Sequence, residues 1–291
     1  MRGAVGLSLK LGIPALIVSL TIVAFGTSAP ELLISIKAAM DDAAGLALGN
    51  IVGSNIANVL LVLGMPALLF GISTQDDTSK QNYIYMILGS VVFIVMGLLG
   101  PFTFLNGMLL ILLLSVILYK AYIHAKKSRR ALKLATEDIL VVSDAWLKII
   151  IMLAIGVIGL PLGANLLVEG AVNIAQRAGI DEAVIGLTMV AIGTSLPELA
   201  TTVMAAYRKE ADVAIGNVIG SNIFNLLGVV GVTSLITTLP VPDAFVIFDF
   251  WIMLASSLLL FPFIWFRIDL GKIWGAMFLA AYIGYIWVLF I

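Results

Sequence analysis

Two copies of a short polar motif lie inside apolar stretches of this 291-residue chain. GTSAPE occupies Gly26 to Glu31, and GTSLPE occupies Gly193 to Glu198. A proline within a helix has no N–H to donate and crowds the carbonyl four residues earlier, so nearby carbonyl oxygens become available as ligands. Each motif also places two hydroxyls and a carboxylate around one side of a helical turn. These groups belong to Thr27, Ser28 and Glu31 in the first copy and to Thr194, Ser195 and Glu198 in the second.

A second polar motif follows each copy of the first. In ALGNIVGSNIANVL and AIGNVIGSNIFNLL, polar residues recur every four positions and share one helix face. Hydroxyl, amide and carboxylate oxygens suit Ca²⁺ and alkali ions. With one histidine and no cysteine, the chain is poorly suited to zinc, copper or haem. The polar stripes consist of Asn50, Ser54 and Asn58 and of Asn217, Ser221 and Asn225.

Several of these residues also have a purely structural interpretation. A proline kink can be architecture alone, the glycines can be small-xxx-small packing positions, and the asparagines other than Asn58 and Asn225 can hold helices together. Glu31 and Glu198 differ, because an ionisable residue near the bilayer centre costs at least roughly 2.5 kcal/mol and marks a functional site. Their joint charge of −2 balances one Ca²⁺.

The composition is that of an integral membrane protein. Hydrophobic residues make up 62% of the chain and charged residues 11%, and the mean hydropathy is +1.15. Apolar runs predict about nine transmembrane helices. A net charge of −1 gives no indication of nucleic-acid binding, and no phosphate-binding loop or catalytic motif is present, so we expect a gradient-driven transporter and not an enzyme. The helices are centred near Val23, Val59, Phe93, Leu112, Gly156, Val190, Ile223, Leu254 and Leu279.

The basic residues predict the orientation and the division of the chain. With the N-terminus inside, only Lys37 and Arg177 of the 16 basic residues fall outside. A hydrophilic segment divides the sequence into a first half of four helices, residues 1–122, a cytoplasmic linker, 123–145, and a second half of five helices, 146–291. We expect the plasma membrane of a prokaryote as the location, since the linker is short.

The two halves are copies of each other. TIVAFGTSAPEL and ALGNIVGSNIANVL align with TMVAIGTSLPEL and AIGNVIGSNIFNLL at one offset of 167 residues, and 18 of the 26 positions are identical. Because an odd number of spans separates equivalent positions, the copies face opposite sides of the membrane. Inverted repeats are typical of secondary transporters, whose substrate site lies where discontinuous helices of the two repeats meet.

On these residues, the chain resembles the sodium/calcium exchanger family of the cation/calcium exchanger superfamily. Paired GTSxPE and GNxxGSNxxN segments look like its two α-repeats, and the resemblance extends over nearly the whole chain. It implies a ten-helix fold of two five-helix repeats, and we expect the first of these helices to be absent from this sequence. It also implies electrogenic exchange of Na⁺ for Ca²⁺ by alternating access, in a protein that acts as a monomer without a cofactor.

The resemblance also implies a set of ion ligands. Glu31 and Glu198 correspond to the principal Ca²⁺ ligands. Thr27, Ser28, Thr194 and Ser195, the backbone oxygens of Ala24 and Ala191, and Ser54, Asn58, Ser221 and Asn225 correspond to the remaining ligands for Ca²⁺ and Na⁺. The amides at Asn58 and Asn225 disfavour the potassium-dependent branch. Ca²⁺/H⁺ exchange on the same fold is the alternative function, with the glutamate pair taking up protons.

Overall fold

The computed structural model describes residues 23–74, 78–135 and 179–291, together with isolated positions between 150 and 177. These residues form helices, and two isolated bridges are the only β-structure among them. The all-α class predicted from the sequence is confirmed. The helices are α1 Ala24–Thr27, α2 Ala29–Met40, α3 Ala44–Phe70, α4 Thr78–Leu99, α5 Phe104–Ala135, α6 Glu182–Thr194, α7 Leu196–Tyr207, α8 Ala211–Ile236, α9 Phe245–Phe266 and α10 Lys272–Leu289.

Within the described ranges, six helices are long and apolar enough to cross a membrane. They are α3, α4, the Phe104–Ala121 part of α5, α8, α9 and α10. Helices α6 and α7 form one further candidate span, bent by 44°. The prediction of a multi-pass membrane protein is confirmed. The helix expected near Gly156 lies outside the described residues, as does the chain before Val23, so the count of nine stays a prediction.

Helices α3 and α8 form the centre of the protein. In the 18-residue apolar segments of these two helices, 89% and 100% is buried inside the protein. The corresponding share is 22–44% in α4, α5, α9 and α10. The peripheral helices leave large apolar side chains exposed, among them Leu99, Ile247 and Ile273. Such a surface suits contact with lipid chains, whereas the polar motifs of α3 and α8 face protein on all sides.

Two glycines let α3 lie against α6 at backbone contact distance. A Cβ at Gly53 would be 2.6 Å from the carbonyl oxygen of Leu187, and a Cβ at Gly49 would be 2.8 Å from that of Ala183. No side chain fits at either position without separating the helices. The packing interpretation of these glycines agrees with the structure.

The internal repeat is visible in the backbone. Two antiparallel bridges join the two halves. Ile72, after α3, pairs with Leu270, before α10, and Leu239, after α8, pairs with Phe102, before α5. The last turns of α3 pack on α10, and those of α8 pack on α5. The turns that end α2 and α7 also match, with left-handed residues Asp42 (φ 59°) and Lys209 (φ 60°) at the repeat offset.

Candidate cation-binding site

Helix breaks place the two glutamates. The backbone leaves helical geometry at Ser28 (φ −84°, ψ 8°) and at Ser195 (φ −79°, ψ 0°), and a proline follows in the first turn of α2 and of α7. Glu31 and Glu198 therefore lie in the first turn of a new helix. The positive end of a helix dipole stabilises a carboxylate there. The breaks predicted from Pro30 and Pro197 thus create two equivalent sites for acidic side chains.

The two carboxyl groups are buried but differ in their partners. Both glutamates are 0% exposed. Glu198 Oε1 accepts hydrogen bonds from Ser28 Oγ and from Ser221 Oγ, each at 3.1 Å. Within the described chain, neither oxygen of Glu31 has a donor, and Glu198 Oε2 has none. A buried carboxylate costs several kcal/mol unless a cation, a proton or further donors compensate it.

Thr194 connects the two halves beside Glu31. Its Oγ1 lies 3.0 Å from Asn50 Oδ1, 3.3 Å from Ala191 O and 3.2 Å from Ser54 Oγ. Since Thr194 carries one hydroxyl proton, it is the donor in only one of these three contacts, and in the pair with Ser54 either hydroxyl can donate. In the first half, Thr27 Oγ1 bonds back to Val23 O and Ala24 O at 3.1 and 3.2 Å.

Asn50 and Asn217 hold the helix turns that carry the glutamates. Asn50 Nδ2 donates to the backbone oxygen of Glu31 at 3.1 Å, and Asn217 Nδ2 donates to that of Glu198 at 3.4 Å. Both asparagines therefore have the structural role that the sequence left open for them. Each asparagine also donates to side-chain hydroxyls, which the sequence analysis missed. Two of these hydroxyls, those of Ser35 and Thr202, lie four residues after a glutamate, and this spacing was the available signal. The partners are Ser35, Thr201 and Thr202, at 2.9, 2.9 and 3.1 Å.

The polar residues deeper in α3 and α8 lie in π-helical turns, Asn58–Val62 and Phe224–Val229. Such turns are frequent at functional sites. Asn58 Nδ2 donates to Asn222 Oδ1 at 3.0 Å and so joins the two helices. Asn58 Oδ1 and both polar atoms of Asn225 have no partner among the residues described, although both side chains are fully buried. These atoms are available to a ligand.

The predicted ligands are buried, and contacts between the two halves join some of them, namely Ser28 with Glu198 and Ser54 with Thr194. All twelve are at most 4% exposed, and they come from both halves. The backbone oxygens of Ala24 and Ala191 also accept the N–H groups of Ser28 and Ser195, at 2.9 and 3.0 Å, so they take part in helical hydrogen bonds. The hydroxyl of Ser195 has no partner in the described part of the chain.

The site can bind a hard cation through a mixture of charged and neutral oxygens. Two carboxylates supply the charge, and hydroxyl and amide groups supply neutral oxygen. Among the described residues, no three His, Cys, Asp or Glu side chains form a metal-binding cluster. The described part of the site thus offers two carboxylates and neutral oxygens, without a larger cluster of charged ligands.

Fold and site together define an inverted-repeat membrane transporter with a polar site between broken helices. The chain belongs to the sodium/calcium exchanger protein family, whose sequence profile matches residues 1–123 and 148–291. The family predicted from the paired motifs is confirmed. Its members are exchangers and antiporters, and not enzymes.

Similar proteins cover almost the whole chain. The putative antiporter CaxA of Alkalimonas amylolytica is 37% identical over 99% of this chain and 92% of its own length. The sodium/calcium exchanger MaX1 of Methanosarcina acetivorans is 32% identical over 100% of this chain and 93% of its own length. The solved structure of the sodium-calcium exchanger NCX_Mj, soaked with Na⁺ and Ca²⁺, matches with a TM-score of 0.78 at 33% identity. That match covers 97% of this chain and 89% of the other.

Proposed function

We propose that this protein is a secondary active antiporter that exchanges Na⁺ for Ca²⁺ by alternating access. In this proposal Ca²⁺ is held at mid-membrane between Glu31 and Glu198. One observation carries the proposal: both carboxylates are fully buried, and three of their four oxygens have no donor among the described residues. Two such carboxylates need a cation or protons to compensate them, and their charge of −2 when both are ionised balances one Ca²⁺.

The remaining proposed ligands surround this pair. The hydroxyls of Ser28 and Ser221 already contact Glu198, and the hydroxyls of Ser54 and Thr194 form a connected group beside the Glu31 helix turn. Each backbone carbonyl has a second lone pair and can ligate a cation while it accepts a helical N–H. We propose the same ligand set as the sequence resemblance implied, namely Thr27, Ser28, Thr194, Ser195, Ser54, Asn58, Ser221 and Asn225 with the backbone oxygens of Ala24 and Ala191.

The proposal also covers the organisation of the protein. Residues 1–122 and 146–291 each contribute one glutamate, and residues 123–145 connect the two halves inside the cell. A single chain supplies both sides of the site, which favours function as a monomer. Ca²⁺ and Na⁺ are the cargo, no cofactor is required, and the location is the plasma membrane of a prokaryote.

A flux assay tests the proposal. Proteoliposomes are loaded with Na⁺ and diluted into Na⁺-free buffer that contains ⁴⁵Ca²⁺, with and without a pH gradient. Wild type is compared with Glu31→Gln and Glu198→Gln. Glu182→Gln is the matched control, because Glu182 is an exposed glutamate at the start of α6.

We expect Ca²⁺ uptake that requires the outward Na⁺ gradient and is lost in both site variants but not in the control. Uptake that follows only the pH gradient would replace this function with Ca²⁺/H⁺ exchange. Uptake that persists in Glu31→Gln or Glu198→Gln would remove the carboxylate pair from the mechanism.

A further inference from the structure

A cavity of about 120 Å³ lies on the side of the helix bundle, between the α1–α2 break and helices α5 and α8. Leu32, Leu114 and Val232 belong to its walls, and among the described lining residues Ser28 alone has a polar side chain. Phe25 and Phe224 flank it, with ring centroids 5.6 Å apart in an edge-to-face contact. We call this cavity the lateral pocket.

Two small residues line the lateral pocket at positions where the other repeat carries leucines. At the repeat offset of 167 residues, Gly228 of α8 corresponds to Leu61 of α3, and Ala29 of α2 corresponds to Leu196 of α7. The half that forms the pocket thus lacks two leucine side chains that the other half carries. A Cβ at Gly228 would lie 3.2 Å from Leu114 Cδ2, on the pocket wall. A larger side chain at Gly228 therefore points into the pocket.

We propose that the lateral pocket binds the end of a lipid acyl chain. Its lining is apolar, so a polar ligand would lose its water without gaining partners. Gly228 lies inside the candidate span Ala211–Ile236, so the lateral pocket lies at the depth of the hydrocarbon layer, which holds the acyl chains. The volume accommodates a few methylene groups, which fits a chain end and not a whole lipid.

The occupant would lie next to the carboxylate site. Ser28 lines the lateral pocket, and its hydroxyl donates to Glu198 Oε1 at 3.1 Å. A chain end in the pocket therefore contacts the α1–α2 break, whose Ser28 donates to this carboxylate. Binding of the chain depends only on the shape and polarity of the pocket, so the inference does not rest on which ion is transported.

Photolabelling of the full-length protein in liposomes tests the inference. The probe is a phosphatidylcholine with a diazirine near the terminal methyl of one acyl chain, and a second probe carries the diazirine near the ester. After irradiation, mass spectrometry maps the adducts. We expect the terminal probe to label the segments 25–32 and 224–232, and the ester-proximal probe to leave them unlabelled.

Two variants fill the lateral pocket. Gly228→Leu introduces the residue found at the equivalent position of the other half, and Val232→Phe is used if Gly228→Leu does not fold. Leu61→Ala is the matched control in the other half. We expect the adducts in both segments to be lost in the filled variants and retained in the control. Adducts that survive filling, or equal labelling by both probes, would overturn the inference. So would labelling confined to other lipid-facing helices.

Discussion

Ser28 and Ser195 occupy equivalent positions in the two repeats, yet they should contribute differently to stability. Ser28 Oγ donates to Glu198 Oε1 at 3.1 Å. Ser195 Oγ is buried without a partner among the residues that the structure describes. The local backbone is nearly the same, with φ and ψ of −84° and 8° against −79° and 0°. Ser28→Ala and Ser195→Ala thus remove the same atom from the same geometry, and only one of them removes a hydrogen bond.

The structure sets the size of the difference. A hydrogen bond to a charged group contributes about 1.5–3 kcal/mol, so at a pH where Glu198 is ionised Ser28→Ala should lower the free energy of unfolding by about that amount. Ser221 then remains as a donor to Glu198 Oε1. Ser195→Ala removes a hydroxyl that makes no bond, and we expect it to be neutral or slightly stabilising. At about 2–4 °C per kcal/mol, the two variants should differ in melting temperature by at least about 3 °C.

Thermal unfolding of the purified protein, with a chelator present and choline in place of Na⁺, measures this difference. The reasoning is refuted if the two variants lose equal stability, or if Ser195→Ala loses more. Addition of Ca²⁺ provides an internal control. Both hydroxyls are proposed ligands, so both variants should show a smaller Ca²⁺-induced rise in melting temperature than wild type.

Three further predictions follow from the same structure. Wild type should gain about 2.7 kcal/mol from Ca²⁺ at a hundredfold excess over Kd, whereas Glu31→Gln should gain almost nothing. Without cations, and at a pH where Glu31 is ionised, Glu31→Gln should melt higher than wild type because a bare buried charge is removed. Gly53→Ala should destabilise by about 1–3 kcal/mol, since its Cβ would lie 2.6 Å from Leu187 O, and Gly45→Ala should be tolerated because its Cβ would meet Ala183 at 3.5 Å. Burial raises the pKa of the Glu210 carboxyl, and the charge of Arg208 offsets part of this rise. Wild type therefore loses stability as pH rises through the titration range of Glu210. At pH values above that range, Glu210→Gln should therefore raise the melting temperature slightly. At pH values below it, the substitution should have no effect.

Each of these predictions has a clear contrary result. A full Ca²⁺-induced shift in Glu31→Gln would exclude that carboxylate as a ligand. Equal destabilisation by the alanines at Gly53 and Gly45 would contradict the close approach of α3 and α6. A gain in Glu210→Gln that is larger at low pH than at high pH would have the wrong sign for a carboxyl whose ionised form burial disfavours.

The sequence predicted the parts of the site that depend on residue type and spacing. Pro30 and Pro197 indicated the helix breaks, the offset of 167 residues indicated the repeat, and Glu31 and Glu198 stood out because charge is costly in an apolar span. The structure agrees with the first two and finds both glutamates fully buried. Their role as cation ligands stays a proposal.

Other features could not be predicted from the same pattern. The two motif copies are nearly identical, so nothing in them predicts that Glu198 accepts two hydroxyl hydrogen bonds while Glu31 accepts none in the described structure. That difference depends on side-chain rotamers and helix packing. The lateral pocket likewise depends on which surfaces meet. Only the packed helices show that Gly228 and Leu114 line the same space.

The most direct test of the central claim is an anomalous diffraction map from crystals soaked in Sr²⁺, a divalent cation that stands in for Ca²⁺. We predict a strong peak within coordination distance of the carboxyl oxygens of both Glu31 and Glu198, between the α1–α2 and α6–α7 breaks. A peak at another location, or one in contact with only one of the two glutamates, would contradict the account.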